Sequence, residues 1–323
     1  MLRFYQGGAA DGWVEESGGE PALEQAIWID LLQPTPAERA AVETFLGLAL
    51  PSRDEMRDIE ESARFYLEGG ARFMTTNVMT KLETDEPEVQ EITFVLSAKH
   101  LVTLRYQDLR PFQRLIRRYQ RLAPKRNSGD VLLDLYGQIV ERQAEVLERI
   151  GRELDELSRL IFSEPSKRAK KRQNLEGALS SLGRKGNLIS RERESLESLQ
   201  RSASFARQNV SGEGDGLRLE KRLKPAERDL LSVIDHTNFL SSKVSFMLNA
   251  TLGLISMEQN AIVKIFTIAS VAFLPPTLIA SIYGMNFSQM PELSQPWAYP
   301  VALGLMVITL LLPLWYFKRR GWI

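Results

Sequence analysis

The chain has 323 residues and contains no cysteine. This absence excludes disulfides, thiolate metal sites and cysteine nucleophiles. Histidine is almost as scarce, because only His100 and His236 are present and they are far apart in the sequence. They are too few for a zinc cluster, and we interpret them as ordinary surface or interface residues. No glycine-rich phosphate loop or catalytic motif stands out either. We therefore expect neither an enzyme nor a nucleotide-binding protein.

The chain also lacks a charge imbalance, because 41 basic residues face 41 acidic ones. A net charge of zero gives no reason to expect a nucleic-acid partner. The first ten residues contain no basic region followed by an apolar run, so no cleaved signal peptide is expected.

Charge itself is missing from one region near the end of the chain. Between residues 265 and 317 the single charged side chain is Glu292, although a quarter of the whole chain is charged. This region holds two apolar stretches, 262–282 and 297–317. Each is long enough to cross a hydrocarbon core of about 30 Å as a helix. The sequence therefore predicts a two-helix membrane domain, 259–323, with a connecting loop at 283–296.

Basic residues indicate how these two spans are oriented. Lys264 marks the start of the first span, and the second is followed by Lys318, Arg319 and Arg320, whereas the loop has neither lysine nor arginine. The positive-inside rule then places both termini in the cytoplasm. Aromatic residues near the ends of the second span are typical of membrane interfaces: Trp297, Tyr299, Trp315, Tyr316 and Phe317.

Residues 1–125 show the pattern of a mixed α/β domain. Four segments rich in β-branched and aromatic residues are predicted strands, and the last two form a hairpin: 26–31, 71–78, 91–96 and 101–106. Thr35, Pro36 and Glu38 form a helix start with a cap, a first-position proline and a capping-box glutamate. Residues 110–121 resemble a basic amphipathic helix, and 124–129 interrupt the pattern.

Residues 126–258 are predicted to be helical. Apolar residues recur there at helical spacing in two stripes, from Leu132 to Ile161 and from Leu175 to Leu199, which predict two antiparallel helices. Breaks are expected at 163–166 and at the glycine-rich segment 211–216. A third helix of about 60 residues should then form a stalk that continues into the first span, about 90 Å in length. Such a stalk cannot bury its apolar face alone, so oligomerisation is expected.

A polar stripe lies within the first span. Thr267, Ser270, Thr277 and Ser281 fall within about 80° of one another on a helix, and Asn260 extends the stripe. One interpretation is helix packing, with Thr277 satisfying backbone groups freed by Pro275 and Pro276. The other is that several copies surround a water-filled pore, with Val263 and Leu274 as apolar constrictions on the same face. The stripe alone does not choose between them.

Further motifs surround this stripe and carry a resemblance to a known family. They run from residue 246 to the end of the chain and include Met257-Glu258-Gln259-Asn260, Phe273-Leu274-Pro275-Pro276-Thr277, Tyr283-Gly284-Met285-Asn286-Phe287, Met290-Pro291-Glu292-Leu293 and Tyr316-Phe317-Lys318-Arg319. With them the chain resembles the CorA family of magnesium transporters, most closely the enterobacterial type. Looser similarity covers the first 210 residues, at Trp28-Ile29-Asp30, Asp58-Ile59-Glu60 and Ser62-Ala63-Arg64-Phe65.

The resemblance implies a membrane protein of the α+β class. Each subunit would have a cytoplasmic mixed α/β domain, a long antiparallel helical region with a stalk helix, and two C-terminal transmembrane helices. It implies a homopentamer in the bilayer of a bacterial inner membrane, whose first spans line the pore. Asn286 would form a selectivity filter with Tyr283, Gly284 and Met285, passing hydrated Mg²⁺ and also Co²⁺ and Ni²⁺ into the cytoplasm.

The resemblance also implies gating by cytoplasmic Mg²⁺ bound to carboxylates between subunits. Candidates for these ligands are the following acidic residues, each of which also fits an ordinary surface charge: Asp54, Asp58, Glu60, Glu61, Glu227, Asp229 and Asp235. Glu292 would attract cations at the mouth of the pore, or it is an ordinary solvated charge of the loop. Lys264, Lys318, Arg319 and Arg320 would form a basic ring at the cytoplasmic mouth, or anchor to lipid headgroups.

Two other functions fit parts of the pattern. A zinc transporter of the same superfamily would share the architecture and differ in the loop. A membrane-anchored coiled-coil scaffold or sensor would need only the long charged helices. Met285 and the Met-Pro-Glu-Leu run favour the magnesium branch, and the polar stripe together with the loop that resembles the family favours transport.

Overall fold

The computed structural model describes the chain except for residues 9–11, 17–20, 59, 82–86, 123–125, 163–171, 209–214, 286–289 and 323. It contains two compact units, Met1–Met247 and Leu248–Ile323. The predicted interruption at 163–166 lies outside the described residues, and so do 124–125 of the one at 124–129 and 211–214 of the one at 211–216. The ends of the last two predictions are wrong, because 128–129 and 215–216 are already helical.

A seven-stranded mixed sheet forms the centre of the first unit. Its strands are β1 (Leu2–Gly8), β2 (Gly12–Glu16), β3 (Trp28–Leu32), β4 (Phe65–Glu68), β5 (Ala71–Thr80), β6 (Glu88–Leu96) and β7 (Leu101–Arg105), in the order β2-β1-β3-β7-β6-β5-β4. Strands β3 and β7 are parallel, and the other neighbours are antiparallel. All four predicted strands are confirmed, including the β6–β7 hairpin. Strands β1, β2 and β4 were not predicted.

Five short helices accompany the sheet: α1 (Pro21–Gln25), α2 (Pro36–Leu46), α3 (Arg53–Met56), α4 (Glu61–Arg64) and α5 (Arg110–Leu122). The start of α2 is confirmed as a capping box, in which Thr35 accepts from the Glu38 N–H and the Glu38 carboxylate accepts from the Thr35 N–H. Gly47 ends α2 in the left-handed conformation, with φ of 67°, which favours glycine.

The two faces of the sheet are covered by different helices. On one face, Phe4, Ile29 and Phe73 share a core with Val42 of α2 and Met56 of α3. On the other, Trp28 packs against Phe112 of α5, and Phe94 contacts Tyr136 of the long helix that follows. Both faces are therefore buried, which explains why the central strands are apolar almost throughout.

Two long helices, α6 (Ser128–Phe162) and α7 (Arg172–Gln208), follow the sheet. Three side-chain pairs join them, Tyr136 with Ser202, Gln143 with Ser195, and Glu153 with Lys185. In these three pairs the residue number increases along α6 while that of its partner decreases along α7. The predicted antiparallel arrangement is therefore confirmed.

The third long helix, α8 (Asp215–Tyr283), has 69 residues, somewhat more than predicted. It begins in the first unit and ends in the second. A short 3-10 helix (Pro291–Ser294) and α9 (Ala298–Arg319) complete the second unit. Helices α8 and α9 are both long and apolar enough to cross a membrane.

Candidate functional site

In the second unit, the end of the chain lies beside the start of the first predicted span. The Lys264 ammonium nitrogen lies 5.4 Å from the centre of the Trp322 ring. Since Lys264 lies at the start of the apolar part of α8 and Trp322 follows α9, the outer ends of the two apolar helices meet. The basic residues there also lie over aromatic rings, Arg319 over Trp315 and Arg320 over Tyr316, each at 5.5 Å.

One face of α8 is covered within this unit. Ala272 is only 3% exposed, and four further residues along the same side are partly buried: Ile268, Pro275, Pro276 and Ile279. Among the described residues of this unit, α9 is the only other long helix. The face around Ala272 is therefore the face that packs against α9.

The predicted polar stripe lies on the opposite face. Ser281 is nine residues from Ala272, which places the two about 180° apart on a helix. Most of the stripe is exposed in the single chain: Asn260, Val263, Ser270, Leu274, Thr277 and Ser281, whereas Thr267 is partly buried. The two apolar members, Val263 and Leu274, are 60% and 66% exposed. The stripe is therefore not hidden by the second helix of its own chain.

The threonine hydroxyls of the stripe bond to the backbone of their own helix. Thr267 donates to the Val263 carbonyl at 2.8 Å, and Thr277 donates to the Phe273 carbonyl at 2.7 Å. Pro275 and Pro276 instead free the carbonyls four residues before them, at 271 and 272. The suggestion that Thr277 satisfies the backbone groups freed by these prolines is therefore wrong, because its hydroxyl donates to the carbonyl of residue 273 and not to those of 271 or 272. Each hydroxyl oxygen keeps acceptor capacity on the uncovered face.

The helical hydrogen bonding of α8 continues into the first residues of the loop that follows it. The Gly284 N–H donates to the Ala280 carbonyl at 2.9 Å, and the Met285 N–H donates to the Ile282 carbonyl at 3.2 Å. A Cβ atom at position 284 would lie 3.0 Å from the Ala280 oxygen, closer than most such contacts, so the tight turn favours glycine.

The predicted filter is described only in part. Tyr283 and Met285 are 36% and 47% exposed, so both are accessible in the single chain. Asn286 lies outside the described residues, and so does the side chain of Glu292, whose backbone belongs to the 3-10 helix.

The predicted regulatory carboxylates do not meet in one chain. Among the described residues, no group of three or more histidine, cysteine or acidic residues could hold a metal ion. Six of the candidates are exposed: Asp54, Asp58, Glu60, Glu61, Asp229 and Asp235. Glu61 lies 3.3 Å from Arg201, beside an open cleft of about 390 Å³. A metal site made from these residues would need ligands from another copy of the chain.

Glu227 differs from the other candidates because its carboxylate already has partners. Arg207 donates to both oxygens at 3.0 Å, and the Ser204 hydroxyl donates at 3.1 Å. These contacts tie α7 to α8. Glu227 is therefore less available to a metal ion than the exposed carboxylates.

One strong polar arrangement was missed by the sequence reasoning. The Arg105 guanidinium donates to both carboxylate oxygens of Asp30, at 3.0 and 2.7 Å, and both side chains are buried. Thr103 donates to the same carboxylate at 2.7 Å and accepts from the Trp28 indole at 3.0 Å. Burial lowers the pKa of Arg105, but its charge and hydrogen-bond interactions with Asp30 outweigh this and raise it. The available signal was a charged residue, Asp30 or Arg105, in each of two largely apolar strands.

Comparison with known proteins gives consistent results. Residues 24–319 match the family model described as CorA-like Mg²⁺ transporter protein. The chain is 38% identical to the magnesium transport protein CorA of Pasteurella multocida over 303 residues, covering 93% of each chain. It is 36% identical to the protein of the same name from Escherichia coli K12 over 312 residues, covering 96% of this chain and 95% of the relative.

Solved structures share the fold at lower sequence identity. The complete CorA magnesium transporter of Methanocaldococcus jannaschii superposes with a TM-score of 0.77 at 18% identity, covering 100% of this chain and 99% of that one. The cytoplasmic domain of ZntB from Vibrio parahaemolyticus superposes with a TM-score of 0.51 at 12% identity, covering 80% of this chain and 97% of that one. These two likenesses show the fold alone. The family is shown by the match over residues 24–319 and by the curated relatives, and on these grounds the chain belongs to the CorA-like Mg²⁺ transporter family.

Proposed function

We propose that this chain assembles as a homopentamer in a bacterial inner membrane and conducts hydrated Mg²⁺ into the cytoplasm, with both termini on the cytoplasmic side. Co²⁺ and Ni²⁺ are expected as further permeant ions. The curated relatives at 36–38% identity are magnesium transport proteins, which supports the choice of ion.

The observation that carries this proposal is the uncovered polar stripe on α8. Polar groups in a membrane helix must face protein or water, because lipid offers them no hydrogen bonds. Helix α9 covers the opposite face, so the stripe must be covered from outside the single chain. Five copies with their stripes turned to a common axis would form a water-filled path lined by hydroxyl and amide groups. Val263 and Leu274 would then form apolar rings in that path.

Ion selection is assigned to Asn286. Magnesium holds its water shell tightly, so a ring of five neutral amides can hydrogen-bond to the bound waters without removing them. The stripe contains no carboxylate that would hold the ion too tightly to let it leave. An inside-negative potential of 100 mV favours entry of a divalent ion by about 4.6 kcal/mol. Five copies of Glu292 would raise the local cation concentration near the mouth.

Gating is assigned to Mg²⁺ held between subunits by exposed carboxylates. Asp54, Asp58, Glu60 and Glu61 in the sheet domain, with Asp229 and Asp235 on α8, are exposed and could meet ligands from another copy. Oxygen ligands of this kind suit Mg²⁺. Glu227 is a weaker candidate because Arg207 occupies its carboxylate.

The test is ion uptake into proteoliposomes under a fixed membrane potential. Asn286→Ala should lower Mg²⁺ flux by at least about tenfold, the equivalent of losing ~1.4 kcal/mol of ion stabilisation. Gln295→Ala is the matched control, because it removes an exposed amide from the same loop. Undiminished flux in Asn286→Ala, or an equal loss in both variants, would contradict the proposed filter.

The same vesicles separate the remaining alternatives. Uptake of Zn²⁺ in preference to Mg²⁺ would favour the zinc branch, and no uptake of any ion would favour the scaffold. For gating, Asp54→Ala, Asp58→Ala or Asp235→Ala should leave flux high at millimolar internal Mg²⁺. If all three variants close as the unmodified protein does, these residues do not form the regulatory site.

A further inference from the structure

One carboxyl group in the first unit lies where its helix is otherwise apolar. Glu192 of α7 stands between Ile189 and Leu196, both buried, at the spacing of a single helix face. Its side chain is fully buried, and neither carboxyl oxygen has a hydrogen-bond partner among the described residues. A buried carboxyl without partners is costly, so its charge state matters to the packing around it.

The turn that follows Glu192 ties three elements together. Ser195 accepts a hydrogen bond from the Gln143 amide of α6 at 2.6 Å and donates to the Asn77 carbonyl of β5 at 2.8 Å. The Asn77 N–H donates to Ser198 at 3.1 Å. Strand β4 pairs only with the first four residues of β5, so these serines satisfy an otherwise open strand edge. Glu192 thus lies within the contact of α7 with α6 and β5.

This contact also contains a buried acceptor without a donor. The side-chain oxygen of Gln143 has no hydrogen-bond partner among the described residues, although its amide nitrogen is bonded to Ser195. A neutral carboxylic acid carries an O–H donor, whereas a carboxylate has only acceptors and a charge that is costly to bury unpaired. Burial without a hydrogen-bond partner among the described residues therefore favours the neutral form of Glu192.

The charges facing Glu192 come from α6. Arg142 pairs with Glu145 at 2.8 Å, and Arg149 lies 3.9 Å from Glu153. Burial raises the pKa of Glu192 to about 8, although Arg142 and Arg149 act to lower it. Glu192 is accordingly neutral near pH 7.

The other elements around Glu192 supply little further charge. The stretch 75–80 of β5 has no ionisable residue. Helix α8 packs on α7 at Gly186 through Val244, and its nearest ionisable residue, Lys243, pairs with Asp155 of α6 at 2.6 Å. The next ionisable residues of α8, Asp235 and His236, are exposed. On α7 itself the neighbouring charged residues are exposed: Arg191, Arg193 and Glu194.

We propose that Glu192 is a proton-operated latch between α7, α6 and β5, which permits their close packing as the neutral acid and loosens the contact when it ionises. The inference concerns the first unit alone and does not depend on the proposed transport function. In the unfolded chain the carboxyl would ionise near its ordinary pKa of 4.5, whereas in the folded chain it keeps its proton until about pH 8. The stabilisation is thus complete below pH 4.5, declines as pH rises towards 8, and is lost above that.

Hydrogen exchange of the full-length protein in detergent tests this inference. The rates at Asn77 and along 195–202 are measured at pH 6 and pH 9 and corrected for intrinsic exchange. In the unmodified protein, opening of this contact should increase by about tenfold or more over that range. Glu192→Gln keeps the size of the side chain but cannot ionise, so its opening should stay constant. Glu194→Gln, which removes an exposed carboxyl from the same helix, should behave as the unmodified protein does.

Two results would overturn the latch. One is a Glu192→Gln variant whose exchange rises with pH as steeply as that of the unmodified protein. The other needs no variant, and so stands even where the substitution prevents folding. If opening in the unmodified protein does not change between pH 6 and pH 9, Glu192 does not control this contact.

Discussion

The polar side chains of the first unit and those of the membrane helices are used differently. In the first unit, Asp30, Thr103 and Arg105 are buried and bonded to one another. In the second unit, Ser270 and Thr277 are exposed on a helix face that the rest of the unit leaves uncovered. These three buried groups of the first unit stabilise the fold within one chain, whereas those of the stripe remain available to other copies, to water or to ions.

Apolar side chains show the same contrast. Around the sheet of the first unit the largest of them are buried, among them Trp28 and Phe112. In the second unit, Phe266, Phe273 and Trp315 are each more than 60% exposed. Such exposure indicates a solvent other than water. With apolar residues facing outward around most of the helix pair, the polar stripe is the exception that needs a separate explanation.

The strongest way to sharpen this contrast is to remove Asp30. Asp30→Ala leaves the Arg105 guanidinium buried without its main partner, so the sheet should lose about 3–5 kcal/mol of stability. Hydrogen exchange of the β3 and β7 amides in the full-length protein measures this loss locally. Asp108→Ala is the control, since Asp108 binds the same guanidinium at 3.1 Å from an exposed position and should cost at most about 1 kcal/mol.

A double variant separates pairing from packing. Asp30→Leu combined with Arg105→Met replaces the buried pair by apolar side chains, and it should be less destabilised than Asp30→Ala. If Asp30→Ala costs no more than Asp108→Ala, the buried network does not stabilise the sheet.

Much of this fold could be predicted because its signals are local. The four strands at 26–31, 71–78, 91–96 and 101–106, the capping box at Thr35 and the antiparallel α6–α7 pair all follow from short-range pattern. Strand β4 was missed because it directly follows the short helix α4 and has only four residues, too few to show a strand pattern. Strand β1 was missed although Phe4 and Tyr5 are typical strand residues.

The polar sites also differ in whether local sequence could predict them. The polar stripe could be predicted because one helix period places its members together. The pairing of Asp30 with Arg105 could not, since 75 residues separate them and only the parallel β3–β7 register brings them together. Glu192 did have a signal, an acidic residue within an apolar stripe, but burial without a partner is a property of the folded chain.

The second test asks whether water reaches the stripe. The chain has no cysteine, so single cysteines at 267, 270 and 277 can be labelled without background. In the membrane-embedded protein, a water-soluble thiol reagent should label them at least about tenfold faster than cysteines on the face packed against α9, because a thiol buried between the two helices is neither solvated nor ionised.

Cysteines at 268, 272 and 279 are the matched controls, since they lie on the same helix at the same depths. Equal, slow labelling on both faces in every condition would mean that the stripe is only a packing surface between copies. The difference between the two units would then concern oligomerisation and not an ion path.

The smallest expected effects on stability come from replacing one threonine by alanine in each unit. Thr35→Ala removes the α2 cap, whose hydroxyl accepts from the Glu38 N–H at 3.3 Å, and should cost about 1 kcal/mol of stability. Thr277→Ala removes a hydroxyl bonded to its own helix, where the backbone ladder remains, so we expect a cost below about 0.5 kcal/mol. Hydrogen exchange at the start of α2 and along α8 measures both. Under the proposed function only Thr277→Ala should also change Mg²⁺ flux, because its hydroxyl faces the path. A Thr277→Ala variant that unfolds more readily than Thr35→Ala would show that the stripe hydroxyl stabilises the fold, as the polar groups of the first unit do.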